Sequence, residues 1–446
     1  MNRMRGVPAA ILVLLVCVVL SACLGNSRDG SGSETNAVGS GEPGASGEPE
    51  GKLTAWTIPL GDDERAFKAY IKEFEGQYPK VKISLSVVPE EGYGQKINTA
   101  MQAHKPPDVA LIEPDQTGLM KAGRVVELTQ SLKDWDVPID DFSEGGLARM
   151  SLENDPAKGV YAVGDFLAGN VLVYNKKLFD EAGVPYPPAD RSLTFQEYDE
   201  NCRKLARPSD NPAERVFGCV VPDWGFFYPV FGPDGHKAEG AMNSPELVNA
   251  FNMGSALIRE GMAPGSGILE TMGESDLFAE NKIAITWTDF TETPKYQENK
   301  IDFGLAPFYV VEGQEDFVDT WTTAWGTFTE SQNKAAAMAF LKFLATDAQR
   351  MRPEVSADPP LRKSIAEEVE YGKGDPVKEQ YLEVLKNARR GPYVPPGVEA
   401  WDPGELMRQL TVENQTDAKQ MLDEMARKSD EQLPRAWKEW EDIGSG

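Results

Sequence analysis

Histidine is almost missing from this chain, with two residues, His104 and His236, among 446. A metal or catalytic centre built on imidazoles is therefore excluded. Basic side chains are scarce as well: 45 Lys and Arg face 71 Asp and Glu, for a net charge of −26. A nucleic-acid binder needs a basic face for phosphates, so that class falls away. No hydrophobic run is long enough for an ordinary membrane-spanning helix, which needs about 20 apolar residues. GxSxG, HExxH, CxxC and GxxxxGK[ST] are all missing, and with them the commonest signatures of hydrolases, metalloproteases, redox enzymes and nucleotide-binding proteins. A glycosidase would need only two carboxylates, but among 71 a pair carries no information. What is present is 41% hydrophobic residues, enough for a sizeable core, and a length that suits two or three domains.

The amino terminus reads as an export signal. Arg3 and Arg5 precede the apolar run Ile11–Leu20, and Ser21-Ala22-Cys23 follows it. A positive start, an apolar middle and a small-residue end define that signal. Leu20-Ser21-Ala22-Cys23 resembles the bacterial lipobox, which implies cleavage before Cys23 and lipidation of Cys23, palmitate included. Residues 1–22 are thus expected to be a signal peptide. The mature protein would sit, lipid-anchored, on the extracellular face of the cytoplasmic membrane; plain secretion with a free Cys23 thiol is the alternative. Residues 23–51 are rich in Gly, Ser, Glu and Pro and cannot bury a core, so they read as a disordered tether with a reach of about 30 Å. Gly39–Gly44 fits GxGxxG, but no strand precedes it, no helix follows, and Glu42 would repel phosphate.

Cys17 leaves with the signal and Cys23 takes the lipid, so Cys202 and Cys219 remain. They lie outside the membrane, where disulfides persist. Cys202 falls in an expected helix and Cys219 in the next expected strand. A disulfide and a pair of buried thiols both fit.

The globular part begins with a strand at Leu53–Ile58. A helix runs from Asp62-Asp63-Glu64 to Gln77, with Ala66, Phe67, Tyr70, Ile71 and Phe74 at helical spacing. Strand Val81–Val88, helix Tyr93–Gln102 and strand Asp108–Ile112 complete a β-α-β-α-β unit, which implies a parallel sheet with helices on both faces. A second α/β unit follows. Its strands are expected at Val171–Tyr174, Val216–Val221, Ile283–Trp287 and Thr323–Phe328. Its helices are expected at Lys176–Ala182, from the capping box Thr194–Glu197 to Leu205, at Pro245–Arg259 and at Lys334–Leu344. From Asp375 to Trp440 the chain is mostly helical.

This order resembles the family 1 extracellular solute-binding proteins of ABC importers, the maltodextrin-binding type. The resemblance is carried by Asp108–Ile112 with Gly118–Leu128, Val171–Val184 with Pro187-Pro188 and Thr194–Leu205, Lys282–Trp287, Gly304–Pro307, and Gly326–Leu344. It covers residues 52–440. It implies a two-lobed periplasmic-binding-protein-like fold of type II, each lobe a mixed sheet flanked by helices, with a hinge between them. Lobe 1 would hold 52–165 and 300–331, and lobe 2 would hold 166–299 and 332–446, with crossings near Ala162–Gly169, Lys300 and Gln332. The implied function is capture of a sugar or oligosaccharide by a monomer and delivery to an ABC permease, without cofactor, metal or nucleic acid. A lipid-anchored polysaccharide-degrading enzyme and a chemosensory or adhesive lipoprotein are the alternatives.

A sugar offers apolar CH faces and a rim of hydroxyls, which aromatic rings and charged polar groups bind. Asp223–Pro229 (DWGFFYP) packs four aromatics into a loop and nominates Trp224. Trp287 and Trp401 fall where the family carries ligand tryptophans. Asp289 follows Trp287 and serves either the ligand or an N-cap. Strand alternation puts Trp321 and Trp325 on one face, core or cleft. Trp56 ends the first strand, near the cleft by topology, with core packing as the alternative. The family pattern also implies ligand contacts at Asp115, after the Asp108–Ile112 strand, and at Asp165, at the presumed hinge. Each also fits a turn role. Arg362 matches an arginine that more often braces the lobes. Trp135, Trp437 and Trp440 read as surface or tail packing.

Overall fold

Leu53, Ala55 and Thr57 are buried while Lys52 and Thr54 face water, so Gly51–Thr57 (β1) forms a strand with one covered face. The structure, a computed structural model, describes residues 48–60, 63–227, 231, 234–315, 318–398, 403–412 and 417–444. The signal peptide, Cys23 and nearly all of the tether lie outside these residues. Strand β1 pairs in parallel with Val81–Val87 (β2) and Val109–Leu111 (β3), and Trp325–Gly326 (β10) closes the sheet antiparallel to β3. A second four-stranded sheet has Val171–Asn175 (β5) antiparallel to both Ile283–Thr288 (β7) and Phe303–Pro307 (β8), with Phe217–Cys219 (β6) parallel to β7. Between them lies a small sheet of Ala168–Gly169 (β4), Val318–Trp321 (β9) and Ala388–Arg389 (β11).

The chain moves from one large sheet to the other through this small one. Asn170 alone separates β4 from β5, and residues 322–324 separate β9 from β10. The lobe division expected from sequence needs two corrections here. Residues 303–307 pair with β5 and so belong with the second sheet; Gly304 permits this, since a Cβ there would lie 2.3 Å from the Tyr174 ring. Helices Lys334–Ala345 and Asp347–Val355 belong with the first sheet. Phe340 and Phe343 pack against Phe74 at 5.0 and 5.5 Å, burying the apolar stripe of their helix against Asp63–Gln77. The second crossing is therefore at 308–324 rather than near Lys300. The third follows Val355 rather than lying near Gln332.

Cys202 and Cys219 are joined in a disulfide, with Cα atoms 5.1 Å apart. Gly218 lets the helix Phe195–Leu205 close on β6: a Cβ at Gly218 would lie 1.8 Å from the Cys202 carbonyl oxygen. The bond spans a separation of 17 residues, for which loop closure is worth about 3 kcal/mol. Replacing both cysteines with serine is expected to lower the unfolding free energy by about that amount, seen as a lower urea midpoint. An unchanged midpoint would mean that the crosslink does not restrain the unfolded chain.

Candidate functional site

Strand β3 ends beside a polar turn. Pro114–Gln116 forms a 3-10 turn held by a capping box, in which Glu113 N–H donates to Gln116 Oε1 at 2.8 Å and the Glu113 carboxylate takes the Gln116 N–H. Asp115 is exposed at the tip. Beneath it, buried Arg149 donates from Nη2 to Ile112 O at 2.7 Å and lies 3.3 Å from Glu113 Oε1. Burial pushes the Glu113 carboxyl up, against the pull of Arg149. Burial likewise lowers Arg149 to about 10, although Glu113 opposes this. Arg390 joins the group and donates from Nη1 to Thr320 O at 3.4 Å.

Arg149 reaches the turn from helix Glu144–Arg149, which closes on β9 because Gly145 has no side chain. A Cβ there would lie 1.7 Å from Thr320 Oγ1. Sequence reasoning missed Arg149 and Arg390, though the Gly145-Gly146 pair inside a helix was a legible sign of close approach.

The expected tryptophans divide. Trp56 is half-buried in β1, with Lys96 Nζ 4.2 Å above its ring. Trp321 is half-buried in β9, opposite Ala168 of β4. Trp287 is half-buried in β7, opposite Leu172. Just beyond it, half-buried Asp289 accepts from Thr291 N–H at 3.1 Å in a local turn. The next residue, Phe290, has a φ of +87° and stacks on Tyr381 at 4.1 Å. Such strain in a non-glycine residue persists where the surroundings over-determine it. Trp224 has its backbone in the 3-10 turn Asp223–Phe227. Trp401 lies outside the described residues.

Two expectations are overturned. Trp325 is fully buried and stacks on Phe67 at 4.0 Å, within the core of the first sheet. Trp321 and Trp325 do not share a face because the chain leaves the small sheet after Trp321 and enters another at Trp325. Asp165 is buried, with one oxygen accepting from Thr323 Oγ1 at 2.6 Å and the other from Arg352 Nη1 at 3.1 Å, so the carboxylate is turned into the core rather than toward a ligand. It belongs to a structural cluster. Arg352, 1% exposed, also donates from Nη2 to Asp358 at 2.7 Å and to Asp63, and it lies 4.1 Å over the Phe166 ring. Burial pushes Asp63 up to about 7; Arg352 opposes this, while the charges of Asp358 and Asp165 add to it. Arg362 braces segments in the same way, donating to Asp141 Oδ2 at 2.7 Å and to Ala345 O at 3.3 Å.

The structure thus gathers Glu113, Asp115, Arg149 and Arg390 into one charged group. It also places three half-buried indoles, Trp56, Trp321 and Trp287, on three different sheets. Charged donors and acceptors, and flat apolar rings, are the two kinds of group that suit a ligand polar at its rim and apolar on its faces. Among the described residues, no helix is long and apolar enough to cross a membrane.

Residues 59–351 match the family described as bacterial extracellular solute-binding protein. The chain belongs to that family. Its fold is the two-lobed type II periplasmic-binding-protein fold, shared with solved solute-binding proteins. One is an ABC substrate-binding protein from Listeria monocytogenes in complex with cycloalternan, with a TM-score of 0.69, 20% identity, and coverage of 86% of this chain and 99% of that one. Another is the maltose/maltodextrin-binding domain from Bdellovibrio bacteriovorus bound to maltotriose, with a TM-score of 0.65, 20% identity, and coverage of 86% and 100%. By sequence the chain is similar to the diacetylchitobiose binding protein DasA of Streptomyces coelicolor, with 26% identity over 283 residues, or 62% of each protein.

Proposed function

We propose that this protein captures a sugar or oligosaccharide in the cleft between its lobes and delivers it to an ABC permease, leaving every bond of the sugar intact. The observation that carries the proposal is the set of half-buried indoles at Trp56, Trp321 and Trp287, which no lobe buries fully, together with the charged group around Glu113. In this reading Trp56, Trp287, Trp321, Trp224 and Trp401 supply stacking faces, and Asp115 and Asp289 bind hydroxyls. In this reading one body is built on the sheet of β1, β2, β3 and β10 and the other on the sheet of β5, β6, β7 and β8, and the small sheet through which the chain passes acts as the hinge. Ligand contact with both bodies then favours closure. Relatives named for diacetylchitobiose, cycloalternan and maltotriose support a carbohydrate ligand. The protein acts as a monomer, held at the outer face of the cytoplasmic membrane by lipid on Cys23 after loss of residues 1–22.

Differential scanning fluorimetry against mono- and oligosaccharides tests this reading. A ligand at 100 times its Kd stabilises a fold by about 2.7 kcal/mol, so at least one carbohydrate should raise the melting temperature. A rise with a peptide or a metal salt, and with no carbohydrate, would overturn the assignment.

A further inference from the structure

Two consecutive non-glycine residues, Glu153 and Asn154, adopt left-handed backbone conformations with φ of +56° and +55°. Side-chain crowding disfavours that region for such residues, and it persists where contacts enforce it. Both side chains reach the carboxyl-terminal segment, while the second Glu153 oxygen is held by Lys158 of the same lobe. Asn154 Nδ2 donates to Gly391 O at 3.1 Å, and Glu153 Oε1 accepts from Trp440 Nε1 at 2.7 Å. Neighbouring contacts follow the same path: Thr117 Oγ1 lies 2.9 Å from Tyr393 OH, and the Tyr393 and Trp440 rings are 5.2 Å apart. Lys121 holds Glu153 at 3.4 Å and lies 5.5 Å from the Trp440 ring. All the partners here, residues 117–121 and 153–154, belong with the first sheet.

One turn earlier, the same helix, Ala418–Asp442, is tied to the other body. Trp437 Nε1 donates to Gly235 O at 3.0 Å, and His236 stacks on its ring at 4.1 Å. Asp430 accepts from the N–H groups of Ala238 and Glu239 at 3.3 and 3.1 Å. Positions three apart share a helix face, and both indoles pack on Tyr393, at 6.1 and 5.2 Å, but their N–H groups bond to different lobes.

We infer that Trp440, received by Glu153 and Asn154, is a closure latch that sets how long a bound ligand is held. The inference rests on the two-lobed binding reading. A contact that ties the two lobes in one arrangement raises the population of that arrangement, and its loss acts on the rate of ligand release when that arrangement holds the ligand. Trp440 is a positioning residue that acts through lobe closure.

The test compares wild type with Trp440→Phe, which keeps the ring and removes the N–H donor, and with Glu153→Met, which removes the acceptor together with the ion pairs to Lys121 and Lys158. Trp437→Phe is the control, since it removes only the bond within the second lobe. Small-angle scattering of the ligand-free chains should give a larger radius of gyration for Trp440→Phe and Glu153→Met than for wild type and the control, with the melting temperature of Trp440→Phe near that of wild type. Stopped-flow release of the carbohydrate that gives the largest thermal shift should be about tenfold faster in those two variants, as expected for one lost charge-assisted hydrogen bond. Wild-type radius and release rate in both variants would overturn the latch, as would an equal effect of Trp437→Phe. If no carbohydrate binds wild type, the binding reading fails, and the scattering comparison alone decides the latch.

Discussion

Replacing Arg352 with methionine is expected to lower the unfolding free energy by about 3–5 kcal/mol. The guanidinium is 1% exposed and bonds to Asp63, Asp165 and Asp358, which come from a helix start, a crossing segment and the turn after a helix. A buried ion pair adds little beyond an apolar substitute, but removing one partner strands the others. Here three carboxylates would be stranded. The deficit should depend on pH. A carboxyl whose folded pKa exceeds its unfolded value favours folding at low pH, and that contribution is lost as the pH rises through the folded pKa. Asp63 already stands at about 7 with the arginine present. Without it, Asp63 and Asp358, both already raised by burial, hold their protons more tightly, so the variant's deficit is larger at about pH 8 than at about pH 5.5. Urea unfolding of both proteins at the two values checks this. A deficit that is equal at both, or larger in acid, would contradict the assignment of these carboxylates to one cluster.

The second large effect separates two tryptophans that look alike in the sequence. Trp325→Ala should cost about 3–5 kcal/mol of stability, because the indole is fully buried against Phe67. Trp287→Ala should leave the melting temperature near that of wild type and weaken carbohydrate binding at least tenfold, a loss of about 1.4 kcal/mol or more. Thermal unfolding with calorimetric titration reads both quantities on both variants. Equal stability losses would assign Trp287 to the core as well, and a Trp287 variant with wild-type affinity would remove it from the site.

Local chemistry made much of the fold legible. The helix Pro245–Arg259 follows from Ser244 as N-cap and Pro245 in the first turn, and the Thr194–Glu197 capping box makes both of its bonds, at 3.2 and 3.0 Å. Such signals lie within one turn of chain. What escaped was tertiary. Arg352 meets Asp63 across 289 positions and Asp165 across 187, and no periodicity encodes such a pairing. The two-residue strand Trp325–Gly326 is too short to show alternation, so burial at Trp325 could not be told from display at Trp321. At the candidate site, Trp56 was nominated from its place at a strand end, and Trp287 and Asp115 through the family resemblance. Arg149 was hidden because a buried arginine has no sequence signature beyond the glycines that let its helix approach.

A crystal structure grown with the carbohydrate that gives the largest thermal shift decides whether the lobes clasp a sugar. An intact sugar should lie between the two sheets, one face against the Trp287 indole and hydroxyls within hydrogen-bond distance of the Asp115 turn. A sugar bound away from both sheets' strand ends, or recovered as cleaved fragments, would contradict it.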